Sequence, residues 1–230
     1  TKAMAGFPTT DYISSPAMRK RIDSGQVVDL GIDKSMDIEA IATLQPELIM
    51  AYTVTGTLGQ LKKLKELGYQ VVINAEYLEP HPLGRAEWIK FVACFFEKEA
   101  MSDSIFNSIE ASYLQTKMLV KNVDPPTVLS GIVYGDTWFL PGGENYAAKM
   151  LSDAGYKYLW GDSPSKGFLE LSFESVYLRA QQANYWIGVG SFETLDQIKQ
   201  ADIRYTQFKA FQIGEVYTYN ARVGPKGGSE

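Results

Sequence analysis

Short runs of β-branched and apolar residues alternate along the chain with segments whose apolar positions recur every three or four residues. The runs are LIMAY (48–52), VVIN (71–74), TVLSGIVY (127–134), YWIGV (185–189) and VYTY (216–219), and a helical pattern separates most neighbours. Strand and helix in alternation predict α/β layers with largely parallel strands, because a parallel pair needs a crossover long enough to hold a helix. In GTLGQLKKLKELG, Leu58, Leu61, Leu64 and Leu67 fall at three-residue steps and Gly68 stands where the helix should stop. That helix should pack one face on a sheet.

Residues 85–123 break the rhythm. The stretch contains no Gly or Pro and ends against Asp124-Pro125-Pro126. As one helix it would run roughly 57 Å at about 1.5 Å per residue, too long for a small domain. The pattern predicts two helices with a break near Phe96 to Lys98. The second carries Met101, Ile105, Ile109 and Tyr113 along one side and is expected to act as a stiff strut. The expected layout is an N-terminal α/β lobe over 1–96, a connecting helix over 97–123 and a C-terminal α/β lobe over 124–230. A continuous helix permits rocking rather than wide hinging.

Two helix starts resemble each other. Asp37-Ile38-Glu39-Ala40-Ile41 and Ser172-Phe173-Glu174-Ser175-Val176 each offer a capping residue, an apolar anchor, a first-turn glutamate and a second apolar contact, and each precedes a strand run. This pairing predicts lobes of related build. A first-turn glutamate favours the positive end of the helix dipole, worth about 0.3–1 kcal/mol. Alternatively, two exposed acids, one per lobe, form matched docking charges for two arginines on a partner.

Composition narrows the chemistry. With 230 residues and 45% hydrophobic content the chain can bury a real core, as one large domain or two small ones. A net charge of −5 with no basic run argues against a nucleic-acid partner. The one cysteine, Cys94, lies among Phe91, Val92 and Phe95 and reads as a buried, inert thiol. The one histidine, His81, sits between two prolines, so neither a protein-built transition-metal site nor a Ser-His-Asp set is expected. No run of eighteen apolar residues and no basic-then-apolar leader is present in this sequence. Gly142-Gly143 could offer backbone N–H groups to an anion, but lacks phosphate-loop spacing and reads better as a turn.

The two glutamates, the strut, and the segments EPHPLGRAEWIKFVACFF, TWFLPGGENYAAKMLSDAGYKYLW, LSFESVYLRA and YNARVGPKGGSE together resemble the substrate-binding proteins of bacterial ABC importers for ferric siderophores, haem and cobalamin. The resemblance covers nearly the whole chain. It implies two Rossmann-like α/β lobes joined by one long helix, with a ligand in the cleft between them. It further implies that Glu39 and Glu174 dock into arginine pockets on a permease dimer in the cytoplasmic membrane. Such a protein is exported to the periplasm or the outer face of that membrane, acts as a monomer, and is not an enzyme. The family usually carries an extra strand and helix at its start and a further helix at its end, so the chain looks trimmed at both ends.

Ligands of parallel α/β sheets bind beyond the carboxyl ends of the strands. Tyr52 and the flexible TVTGT follow LIMAY; Glu76, Tyr77 and then Arg85 follow VVIN; Tyr134, Asp136, Trp138 and Phe139 follow TVLSGIVY; Trp160 follows YKYL. Aromatic rings offer broad apolar contact with a polar tip, suited to a flat or chelated ligand. The ligand-binding candidates are therefore Tyr52, Tyr77, Arg85, Tyr134, Trp138, Phe139 and Trp160, although any single ring serves equally well as core. Trp138 is the favoured one, since GDTWFLPGG reads as a loop where a large ring has little local reason to be buried. Arg85 pairs either with an anionic chelate or with Glu79 or Glu87. A ferric siderophore or a corrinoid stands ahead of haem, for which no cleft histidine is available although a tyrosine can ligate haem iron. A sensing module without transport and a two-lobed α/β enzyme are the competing readings. No cofactor is expected.

Overall fold

The computed structural model describes residues 2–32, 35–52, 58–190 and 192–218. The TVTGT loop and the YNARVGPKGGSE stretch lie outside them. Contacts divide the chain between Ala75 and Glu76 into two compact units. The sequence draws its lobe boundary later, at 96; the helix before that point packs on the helix after it, and both therefore group with the second unit.

The first unit contains β1 (Gly6–Phe7), α1 (Pro16–Asp23), β2 (Val28–Asp29), β3 (Gly31–Ile32), β4 (Ser35–Met36), α2 (Ile38–Leu44), β5 (Ile49–Ala51), α3 (Leu58–Glu66) and β6 (Val71–Ile73). β1 pairs with β2 and β5 with β6, both parallel, while β3 and β4 form an antiparallel pair. Leu61 and Leu64 of α3 and Ile41 of α2 make the small core, with Ile49, Val71 and Ile73 packed around it. Leu67 is exposed, so the apolar face of α3 closes before its last leucine. Gly68 ends the helix as expected: at φ 92° it takes the left-handed conformation, and the N–H of Tyr69 returns to the Leu64 carbonyl at 3.1 Å.

The second unit begins with α4 (Pro82–Cys94) and α5 (Glu99–Met118). The break falls within the expected residues, with Glu97 at φ 52° and the N–H of Lys98 on the Ala93 carbonyl. α5 has 20 residues, about 30 Å at 1.5 Å per residue. Ala93, Ser102 and Phe106 are buried where the helices meet, and Lys90 Nζ lies 4.3 Å over the Phe106 ring. The side bearing Met101, Ile105 and Ile109 faces solvent. Cys94 is exposed, contrary to the buried thiol expected, because the inward position of this turn belongs to Ala93. Further along, β7 (Thr127–Ser130), β8 (Ile132–Tyr134), β9 (Thr137–Pro141), α6 (Tyr146–Asp153), β10 (Lys157–Tyr158), β11 (Phe168–Leu171), α7 (Phe173–Ala180), β12 (Tyr185–Ile187), α8 (Leu195–Ala201), a 3-10 turn (Ile203–Gln207), α9 (Lys209–Gln212) and β13 (Val216–Tyr217) follow. A parallel sheet runs β10-β7-β12-β13, and an antiparallel sheet runs β11-β9-β8.

TVLSGIVY is thus two strands in two sheets. Gly131, at φ 85°, makes the switch; a Cβ there would lie 2.0 Å from the Phe139 carbonyl oxygen. β8 and β9 form a hairpin closed by Gly135-Asp136, which turns the expected GDTWFLPGG loop into a strand and carries Trp138 inward. Trp138 is 0% exposed. Its indole N–H donates to the Ser130 carbonyl at 3.2 Å, and that of Trp186 donates to the Gly131 carbonyl at 2.9 Å. Trp186, Phe208, Tyr205 and Phe173 surround Trp138 with ring centroids 5.5–6.1 Å away. The Gly142-Gly143 turn is structural, as expected. A Cβ on either would meet the carbonyl oxygens of Ser165 or Ser163 at 2.3 and 2.5 Å, and the Gly142 N–H is taken by the Gly167 carbonyl.

α5 is tied to α6 by Asp153, which accepts from the Tyr113 hydroxyl at 2.9 Å and pairs with Lys117. Burial pulls the Asp153 carboxyl upward, but the bonds from Lys117 and Tyr113 outweigh it and hold the group below the ordinary carboxylate value. A depressed folded value means the contribution is whole above the unfolded value and is lost as pH falls through the folded one. The stability gap between wild type and Asp153→Asn in urea unfolding should be full above about pH 5 and shrink in stronger acid. Gly131→Ala should cost about 3 kcal/mol or more, since strain and a backbone clash coincide. Gly135→Ala, at φ 61° with open space around it, should cost only about 1–2 kcal/mol in the same measurement.

Candidate ligand and docking sites

The two helix starts singled out in the sequence are built alike. At α2 the Asp37 carboxylate accepts the Ala40 N–H at 2.9 Å, and at α7 the Ser172 hydroxyl accepts the Ser175 N–H at 3.2 Å. Each cap satisfies an orphan donor of the first turn. Ile41 in one helix, and Phe173 and Val176 in the other, anchor the helix in its core. Each helix leads into a strand with a parallel partner, β5 or β12. With capping and anchoring done by neighbours, Glu39 and Glu174 are left exposed.

Glu174 has a neighbour that the sequence does not announce. Arg204, in the 3-10 turn, lies 3.5 Å from its carboxylate, grips Asp202 with its fork, and stacks 4.2 Å over the Phe173 ring. Hydrogen bonds from Arg204 hold the Asp202 carboxyl below its usual value despite partial burial.

The aromatic candidates separate into groups. Tyr52 follows the carboxyl end of β5 and is exposed. Tyr134 ends β8 at the hairpin tip and is 82% exposed, which leaves its ring with little contact from the unit's own core. Phe139, partly buried, alternates with Trp138 along β9. Trp138 and Trp160 are corrections: both lie in the main core of the second unit. A ring closed off from solvent presents no face to a ligand in this conformation. For Trp138 the reason is the hairpin; for Trp160 it is burial beside Tyr158, with the Arg179 guanidinium 5.3 Å from its ring.

Tyr77 and Arg85 are brought together. Tyr77 lies in the short 3-10 turn Glu76–Leu78, and its carbonyl accepts from Arg85 Nη2 at 3.1 Å. Arg85 also lies 3.5 Å from the Glu76 carboxylate, and its guanidinium carbon is 3.8 Å from the Tyr146 ring centroid. Neither Glu79 nor Glu87 supplies its carboxylate partner; the Glu79 carbonyl accepts a weak bond at 3.4 Å. Arg85 therefore clasps the turn that carries Tyr77 to the start of α6. Nothing in the sequence neighbourhood of Tyr146 marks it for this contact. Among the described residues no group of three or more His, Cys, Asp or Glu is arranged to hold a metal ion, and no helix is long and apolar enough to cross a membrane.

Comparison with known proteins gives this geometry its context. The sequence pattern of the family described as periplasmic binding protein matches residues 1–223. The chain belongs to that family. An uncharacterized lipoprotein of Methanocaldococcus jannaschii is 30% identical to this chain over 203 residues, 87% of the chain and 49% of the relative. The chain thus spans about half the length of that relative. Among solved structures, the periplasmic haem-binding protein HutB of Vibrio cholerae aligns with a TM-score of 0.75 at 16% identity, covering 98% of this chain and 84% of the other. The siderophore-binding protein FhuD of Vibrio cholerae, bound to ferric Desferal, aligns at 0.69 and 19% identity, covering 92% and 80%. At such identities the likeness is one of fold, a mixed α/β architecture.

The Arg85 clasp has a measurable test. Arg85→Ala should lower stability in urea unfolding by about 1–2 kcal/mol, through lost bonds to the turn and the lost contact with Tyr146. Hydrogen exchange should then quicken at the Glu79 amide, whose N–H closes the turn on the Glu76 carbonyl.

Proposed function

We propose that the chain is the substrate-binding part of an ABC importer. In this reading it captures a metal chelate outside the cytoplasmic membrane, a ferric siderophore or corrinoid ahead of haem, and hands it to a permease dimer without covalent chemistry. The observation that carries the reading is the pair of capped, core-anchored helix starts that leave Glu39 and Glu174 exposed in a chain of the periplasmic binding protein family. Caps and anchors come from other residues, so neither glutamate is needed for them and both carboxylates stay exposed to a partner. Around Glu174 the surface also suits a protein partner: Leu178, one turn on, and Ile203, beside Arg204, are large apolar side chains left exposed. Glu39 and Glu174 each pair with an arginine of the permease, while Tyr77, Tyr134 and Phe139 of the second unit contact the chelate.

Thermal unfolding in the presence of ferric desferrioxamine, haemin or cyanocobalamin tests the ligand class. A bound chelate at 100 times its dissociation constant adds about 2.7 kcal/mol, and Tyr134→Ala should reduce that gain without altering the ligand-free protein. A flat response to all three chelates would sink the ligand assignment. Docking is tested separately by Glu39→Arg and Glu174→Arg. Each should abolish permease-dependent uptake while chelate affinity stays intact; unchanged uptake would favour a sensing role.

A further inference from the structure

Glu174 is braced. Its Oε1 lies 3.5 Å from Arg204 Nη1, and Arg204 is itself fixed from two sides. Its Nε donates to both carboxylate oxygens of Asp202 at 3.1 and 3.0 Å, and Nη2 donates to one of them at 2.7 Å. Its guanidinium carbon lies 4.2 Å from the centroid of the Phe173 ring. Asp202 is pinned in turn, because its Oδ1 accepts the Arg204 N–H at 2.9 Å at the start of the 3-10 turn.

A guanidinium tied to Asp202 and laid over Phe173 offers the Glu174 carboxylate a set partner. Asp202 answers its charge, so the three side chains carry a net charge of about −1, which Glu174 presents to solvent. The contact engages one carboxylate oxygen of Glu174. A glutamate at a free helix start samples many rotamers, and freezing them on binding weakens association.

We propose that Arg204 is a positioning residue for the docking carboxylate. Braced by Asp202 and Phe173, it holds Glu174 in one orientation, so that an incoming arginine of the permease meets a preset acceptor. The inference rests on the reading of Glu174 as a docking acid.

The test uses permease dimers of a ferric-siderophore, a haem and a cobalamin importer, each in lipid nanodiscs, titrated with the whole chain; the tightest is carried forward. Arg204→Gln should weaken binding by about two- to fivefold, the range of an exposed ion pair, and Glu174→Gln should weaken it more. Placed on top of Glu174→Gln, Arg204→Gln should cause no further loss. Arg204→Lys keeps the charge without the fork and should recover only part of the affinity. Without any permease, side-chain couplings in NMR should show one dominant Glu174 rotamer in the wild type and averaging in Arg204→Gln. The brace is overturned if Arg204→Gln binds as tightly as wild type or tighter, or if it loses the same factor whether or not Glu174 is present. Glu174→Gln binding like wild type overturns the docking reading itself, and the brace with it.

Discussion

Two indole N–H groups hold the second unit together at the place where its backbone changes sheets. A strand that leaves a parallel sheet for an antiparallel one interrupts its ladder, and a buried carbonyl without a donor costs about 1–3 kcal/mol. Here the carbonyls of Ser130 and Gly131 stand at that interruption, and Trp138 and Trp186 supply the donors. The same rings fill the volume between the sheets and the helices, packed on Phe173, Tyr205 and Phe208. Polar satisfaction and core packing thus come from one pair of side chains. Because Phe173 belongs to both this cluster and the first turn of α7, the core sets the backbone from which Glu174 projects.

The alternation of strands and helices, the stop at Gly68, the break between α4 and α5 and the two capped helix starts were legible because each depends on residues near in sequence. Periodicity, capping and left-handed turns are local physics. What was not legible depends on distant neighbours. TVLSGIVY reads as one strand until Phe139 comes close enough to exclude a Cβ at Gly131. Trp138 reads as a loop residue because Gly135-Asp136 closes a hairpin whose second strand looks, by composition, like a turn with an aromatic in it. Cys94 sits in an apolar stretch, yet the helix turns Ala93 inward instead.

The candidate sites divide along the same line. Glu39 and Glu174 were found from a repeated local pattern, and the structure leaves both exposed. Tyr52 and Tyr134 came from the rule that ligands gather beyond strand ends, and both rings are open to solvent. The rule overreached at Trp138 and Trp160, since it locates loops and cannot tell which rings the core will claim. Arg85 and Arg204 carry the clearest lesson. Arg85, expected to face an anionic chelate or Glu79 or Glu87, lies 3.5 Å from the Glu76 carboxylate and clasps a turn against Tyr146; Arg204 stands beside Glu174, thirty positions away in sequence. Arginine forks are long enough to join elements that no sequence window contains.

The hairpin of β8 and β9 gives the molecule an optical gauge. Val133, next to Tyr134, is cross-strand partner to Trp138, so a push on the exposed tip travels one residue before reaching an indole enclosed by four other rings. Indole emission responds to small changes in local polarity and packing, and that fluorophore is shielded from direct quenching by solvent. Trp138, one of four tryptophans in the chain, is thus the indole placed to report on what settles at the tip.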